Sequence, residues 1–150
     1  MRLISWNIAR QEEPWHLLAT EERIDVALLQ EATAPPAGLG LDVVAGDEWR
    51  VAGWQDRKFS TAVVRCSSRV EVVAEPTLEA LDSVSESDLA VSRPGSLAVA
   101  TVTGETLSEP VTVVSAYAAW ERPAAVEDTG WIYADPSAHR IISDIAALIG

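Results

Sequence analysis

The chain has 150 residues, 48% of them apolar and 23% charged, a balance that belongs to one globular domain and excludes a disordered or collagen-like chain. Twenty-three acidic residues against eleven basic ones leave a formal charge of −12, which repels a polyanion and disfavours unaided, sequence-independent nucleic-acid binding. No apolar run approaches the roughly 18 residues of a membrane span, and the lone Cys66 permits neither an internal disulfide nor a thiolate zinc site.

The first apolar run breaks at Asn7, too early for a secretory signal, so a cytoplasmic chain with no membrane association is expected. From Arg2 to Ile8 the residues alternate, with Ile4, Trp6 and Ile8 on one face, which predicts a strand. Glu12 and Glu13 precede Pro14; acids suit the positive end of a helix dipole and proline the first helical turn. Trp15 and Leu18 then share a face of a short helix. Ile24 to Gln30 is nearly continuous in apolar residues, the character of a strand buried on both sides, and completes a β-α-β unit.

Ala34 to Gly46, with two prolines and three glycines, reads as loop. Trp49–Trp54, Ser60–Cys66 and Arg69–Glu75 read as short strands, close enough in sequence to be antiparallel neighbours. Pro76 to Gly95 is acidic and serine-rich and reads as a solvated excursion with one helical turn at Leu78–Leu81. Ser96–Thr103 and Val111–Tyr117 resume the strand pattern. At the end, Asp135 can cap and Pro136 can open a helix whose Ile141, Ile142, Ile145, Leu148 and Ile149 form an apolar stripe, with Gly150 at the C-cap position.

In a β-α-β crossover the two strands are parallel, and their C-terminal ends lie at the same sheet edge, where ligands of α/β sheets bind. Asn7 closes the first strand and Glu31 the second, delivering one carboxamide and one carboxylate side by side. Oxygen donors of this kind suit Mg2+, which keeps several waters and often takes only one or two protein carboxylates, with Mn2+ or Ca2+ as substitutes. The spacing is also that of Asn7 capping a loop and Glu31 or Gln30 capping the next segment.

Ser5-Trp6-Asn7-Ile8 followed by Ile24-Asp25-Val26-Ala27-Leu28-Leu29-Gln30-Glu31 resembles the first two motifs of the endonuclease/exonuclease/phosphatase superfamily, the deoxyribonuclease-I-like fold. The resemblance implies that Asn7 and Glu31 bind or orient a catalytic magnesium ion. Ser60–Arg65 is similar to the family's next strand, and Val111–Tyr117 resembles the strand ending in a phosphate-side Tyr or His. Tyr117 is then implied as a catalytic hydrogen-bond donor to the scissile phosphate; its other reading is a strand-end aromatic packed beside Trp120. Arg140 opens the last helix as an arginine does in many relatives, implying a substrate contact, although its spacing also makes it an i, i+4 partner of Asp144.

In the family the last helix leads into a strand with a Gly-Asp-x-Asn motif, and a later Ser-Asp-His motif completes the site; the sequence contains neither. The expected architecture is accordingly α/β, the N-terminal half of a four-layered α/β sandwich: a single domain over 1–150, incomplete at its C-terminus, with one mixed, mostly antiparallel sheet and its helices on one face. The uncovered inner face of such a half predicts a homodimer or a complementing C-terminal half. The expected function is a magnesium-dependent phosphoester hydrolase, nuclease or phosphatase, weak or inactive as this chain alone, because cooperating catalytic groups lost together cost several orders of magnitude in rate. Phosphoesters or nucleic acid are the expected substrates.

Trp120, Trp131 and Tyr133 cluster between the Tyr117 strand and the last helix. Trp120 is a candidate for stacking on a substrate base; packing of the loop over the helix is the other reading. Gly38-Leu39-Gly40 lacks the third glycine of a dinucleotide fingerprint, and Ser115 stands in no nucleophile-elbow motif. Two further readings compete with the hydrolase: a non-catalytic remnant or interaction module that keeps the fold, and an unrelated doubly wound binding domain.

Overall fold

A computed structural model describes residues 1–51, 57–79, 89–118 and 135–149. In chain order they form β1 (Leu3–Asn7), α1 (Glu13–Thr20), β2 (Val26–Ala32), β3 (Asp42–Ala45), β4 (Ser60–Arg65), β5 (Glu71–Ala74), β6 (Leu78–Glu79), β7 (Ala90–Val91), β8 (Leu97–Thr103), β9 (Val111–Ala116), α2 (Asp135–Asp144) and α3 (Ala146–Ile149). Mixed α/β content with two mostly antiparallel sheets is the result. The first sheet has the order β1-β2-β4-β3 and the second β5-β8-β9, with β6 and β7 as a separate two-residue ladder.

β1 and β2 are parallel, and Asn7 is in register with Gln30, so the β-α-β unit forms as its spacing predicts. β2 is buried on both faces. Val26 and Leu28 turn inward and join Val63 of β4 in packing on Val72, Ala98, Ala100, Val102 and Val113 of the second sheet. Ala27 and Leu29 turn outward, with Ala62 and Val64, against Trp15 and Leu18 of α1. Each valine or leucine so removed from water contributes about 1.5–3 kcal/mol, which explains why a strand facing two cores carries no alternation.

This arrangement corrects the expectation of a half sandwich with one sheet and helices on one face. The inner face of the first sheet is covered by the second sheet of the same chain. α1 packs on the outer side of the first sheet. Ile145, between α2 and α3, packs with Val114 and Ala116 on a third cluster containing Leu89, Val91, Leu97 and Val99 on the outer side of the second sheet. The uncovered face that motivated a partner is thus occupied internally.

Four local expectations are also corrected. β4 and β5 are consecutive but belong to different sheets, because the chain crosses over at Ser67-Ser68 instead of turning back as a hairpin. The glycine- and proline-rich loop contains β3, whose Val43 and Val44 pack on opposite faces of the sheet; two apolar residues are too few to register as a period. Leu78 and Glu79 are extended, pairing with Ala90 and Val91, so the acidic excursion is anchored by buried Leu89 and Val91. The terminal helix is interrupted at Ile145, and Ile142, Leu148 and Ile149 of its apolar stripe are exposed. The expected strand Trp49–Trp54, the turn Leu78–Leu81 and the cap Gly150 lie partly or wholly outside the described residues.

No helix among the described residues is long and apolar enough to cross a membrane. At the crossover the buried carboxylate of Asp25 staples several segments: it accepts from the Arg2 amide, from Ser67 Oγ and from Arg69 Nε, all at 2.7 Å. Gly95 adopts φ +84°, and a Cβ there would run into the Arg50 carbonyl, while its own carbonyl accepts from the Thr61 amide at 2.9 Å.

Candidate functional site

The C-terminal ends of β1 and β2 bring Asn7 and Glu31 together. Asn7 Nδ2 donates to Glu31 Oε1 at 3.2 Å, and Asn7 Oδ1 accepts from the Ala9 amide at 3.0 Å. Glu31 is not the last residue of its strand, as its position in the apolar run predicts; β2 continues to Ala32. A register shift between Leu29 and Ala32 opens a bulge against β4, and Glu31 takes a left-handed φ of +49°. Leu29 and Ala32 therefore both face α1 although, three positions apart, they would point to opposite faces of a regular strand. The bulge re-aims the glutamate toward Asn7, the use to which such irregularities are put beside functional sites.

The turn after β1 is held in the same way. The Ile8 amide donates to the Gln30 carbonyl at 3.0 Å and the Arg10 amide to the Glu31 carbonyl at 2.9 Å. Ala9 and Arg10 have φ of 48° and 64°. Three of the four non-glycine residues with positive φ among those described thus converge at one point, the fourth being Trp49. Left-handed backbone costs roughly 1–2 kcal/mol per residue, and such strain gathers where function over-determines geometry.

Around Glu31 stands a basic and aromatic cluster. Arg10 Nε lies 3.8 Å from Glu31 Oε2. The buried ring of Phe59 has the Arg10 guanidinium 5.8 Å from its centroid and that of Arg57 at 5.9 Å, both within cation–π range. Tyr117 meets Phe59 edge-on with centroids 5.4 Å apart, and Arg57 Nη1 donates to its hydroxyl at 3.5 Å. Burial pushes the Tyr117 phenol above its ordinary pKa, and the charge of Glu31 and a hydrogen bond to it add to the rise against the opposing pull of Arg57 and Arg10. The phenol consequently stays protonated at neutral pH and serves as a donor.

A third layer fixes the cluster from below. Gln30 Nε2 donates to Ser5 Oγ, to the Leu28 carbonyl and to Ser115 Oγ at 3.4, 3.2 and 3.1 Å. Ser115, fully buried on β9, donates to the Leu29 carbonyl at 2.7 Å. It is a structural link between sheets, in keeping with the absence of a nucleophile motif around it.

Asn7, Glu31 and Tyr117, read from the sequence as site residues, are brought together. Arg140 sits half-buried on α2, the helix whose Asp144 accepts from the Ser92 amide and hydroxyl at 3.2 and 2.9 Å. Trp120, with Trp131 and Tyr133, lies outside the described residues. Sequence reasoning missed Arg10, Phe59 and Arg57 as members of the site. Arg10, three residues beyond β1, carried the only available signal, a base one residue removed from the Ser-Trp-Asn-Ile motif; Arg57 and Phe59 arrive from the segment before β4.

No group of three or more His, Cys, Asp or Glu side chains able to hold a metal occurs among the described residues. The donors present are nonetheless compatible with a hydrated hard cation. Glu31 offers two carboxylate oxygens, and Asn7 Oδ1 has a second lone pair beyond the one used by Ala9. The cluster is an open sheet edge: two cavities of about 260 and 570 Å³, lined by residues such as Val44, Leu78 and Pro94 in one and Arg2, Asp25 and Arg69 in the other, include neither Asn7 nor Glu31. Comparison of the chain with protein-family models, with curated proteins and with solved structures finds no match in any of the three.

Proposed function

We propose that the chain is a magnesium-dependent phosphoester hydrolase domain of the endonuclease/exonuclease/phosphatase type, working in the cytoplasm and built as part of a four-layered α/β sandwich, with weak or no turnover as this chain alone. The observation that carries the reading is the approach of the Asn7 carboxamide to the Glu31 carboxylate, 3.2 Å apart at one sheet edge, with the Tyr117 hydroxyl held nearby by Arg57. Glu31 and Asn7 would hold Mg2+, or Mn2+ or Ca2+ in its place. The ion supplies charge neutralisation of phosphoryl oxygens and an acidified water. Tyr117, kept protonated, donates to a phosphate oxygen. Groups that such hydrolysis needs beyond these three would come from a second copy of the chain or a complementing C-terminal half.

Two measurements test this. Mn2+ binding followed by water-proton relaxation is expected for the wild type and is expected to be lost in Glu31→Gln; equal binding by both overturns the metal assignment. Turnover of a nitrophenyl phosphodiester with Mg2+ is expected to be near background, and robust turnover abolished by Glu31→Ala overturns the statement that the chain alone is weak.

A non-catalytic interaction module is the second reading. It is favoured by one feature: Asn7 Oδ1 is satisfied by the Ala9 amide and Glu31 by Asn7 and Arg10, so the edge is electrostatically balanced by the chain's own groups. Failure of Mn2+ to bind the wild type selects this reading.

A further inference from the structure

Arg10 and Arg57 each bring a guanidinium within 6 Å of the Phe59 ring centroid beside the proposed metal ligand, and the chain that puts them there has a net charge of −12. The pair localises positive charge at one edge of a molecule whose net charge repels anions. Long polyanions feel the whole negative surface, whereas a single phosphate approaching within a Debye length of about 8–10 Å feels chiefly the two guanidinia. Guanidinium is also the cation whose planar fork matches phosphate oxygens.

Arg10 has a second property. Its side chain is 60% exposed, and its Nε is 3.8 Å from Glu31 Oε2, longer than a hydrogen bond, while the Glu31 carboxylate itself is only 19% exposed. A pair of this kind is weakly held. A divalent cation on Glu31 would neutralise the same carboxylate and repel the guanidinium. The backbone at Arg10 is pinned to the Glu31 carbonyl, so the displaced side chain remains at the site.

We propose that Arg10 and Arg57 form a subsite for a small phosphate monoester, and that Arg10 is the exchangeable counter-ion that couples the two ligands: cation binding at Glu31 frees it for the phosphate. This rests on the hydrolase reading of Glu31 and names the substrate class of the same site. Because coupling is reciprocal, each ligand tightens the other.

The test uses the whole chain, with Mn2+ and phenyl phosphate as probes in calorimetry. For the wild type, phenyl phosphate is expected to bind more tightly with Mn2+ than without. In Arg10→Gln with Mn2+ present, its affinity is expected to fall about ten- to hundredfold, the loss of one charge-assisted hydrogen bond, and the coupling to disappear. Mn2+ alone is expected to bind Arg10→Gln as well as or up to about fivefold more tightly than the wild type, since a competing ion pair is removed. Arg10→Gly, which suits the positive φ, should repeat both results, and Arg57→Gln should lower phosphate affinity without changing Mn2+ affinity. Phenyl phosphate affinity unchanged in Arg10→Gln, or weaker Mn2+ binding in both Arg10 variants, overturns the proposal. Mn2+ bound equally by wild type and Glu31→Gln overturns the metal reading instead, in an arm that involves neither phosphate nor Arg10.

Discussion

Ser115 of β9 and Gln30 of β2 meet across the interface between the two sheets, with Gln30 Nε2 donating to Ser115 Oγ at 3.1 Å while Ser115 donates onward to the Leu29 carbonyl at 2.7 Å. The contact lies immediately before the bulge that aims Glu31. Ser115→Ala takes its hydroxyl donor from the Leu29 carbonyl and one of three acceptors from Gln30 Nε2, so a loss of about 1–3 kcal/mol is expected. The loss should appear as a lower urea midpoint at unchanged m-value, and a midpoint equal to that of the wild type would show the link to be dispensable.

Asp25 sets the acid limit of the fold. Burial alone would raise its pKa, but the hydrogen bonds from Ser67, the Arg2 amide and Arg69, with the charge of Arg69, outweigh it and hold the carboxyl below its ordinary value. A depressed folded-state pKa stabilises at pH above the unfolded aspartate value of about 3.9 and is lost as pH falls through the folded value. Asp25→Ala should therefore be markedly less stable than the wild type at pH 7. The gap should narrow below about pH 4, read from urea midpoints at a series of pH values; a gap independent of pH would contradict the ion-paired role.

Much of this was legible in the residues. The parallel β1–β2 pair, the short helix carrying Trp15 and Leu18, and the meeting of Asn7 with Glu31 follow from strand periods and the right-handed crossover rule, which are local and robust. The second sheet was not legible as a partner of the first. Nothing in Ser67-Ser68 distinguishes a hairpin from a crossover between sheets, and only the buried Asp25 knot records the choice. Nor could the bulge be read, since no glycine marks Ala9, Arg10 or Glu31 as left-handed. Arg57 and Phe59 join the site through tertiary packing alone, with no motif of their own.

Cys66 should be a poor nucleophile. Burial chiefly, with the nearby Asp25 charge, pushes its thiol up to about 11 against an opposing backbone hydrogen bond. At pH 8 only about one thiol in a thousand is then ionised, against roughly a quarter for a free cysteine. Disulfide-exchange labelling of the native chain is expected to be more than about a hundredfold slower than of the urea-unfolded chain, accelerating about tenfold per pH unit from pH 8 to 10. Equal rates in the two states would mean that the thiol is open to solvent.

Glu31 stands where its own backbone is strained, at φ +49° inside a strand, and the proposed metal site would account for a glutamate there. Left-handed backbone disfavours most L side chains by about 1–2 kcal/mol, whereas asparagine visits it more readily. Glu31→Asn also gives up the weak Arg10 pair and the exposed Asn7 hydrogen bond, each worth about 1 kcal/mol at most. Relief of backbone strain and loss of these two contacts oppose each other, so the thermal midpoint is expected to stay close to that of the wild type while Mn2+ binding falls. Glu31→Val, with a branched Cβ at the same φ, is expected to lower the midpoint. A stability loss in the asparagine variant as large as in the valine variant would show that the glutamate side chain holds the fold together, and that the bulge is not a strained feature retained for a ligand.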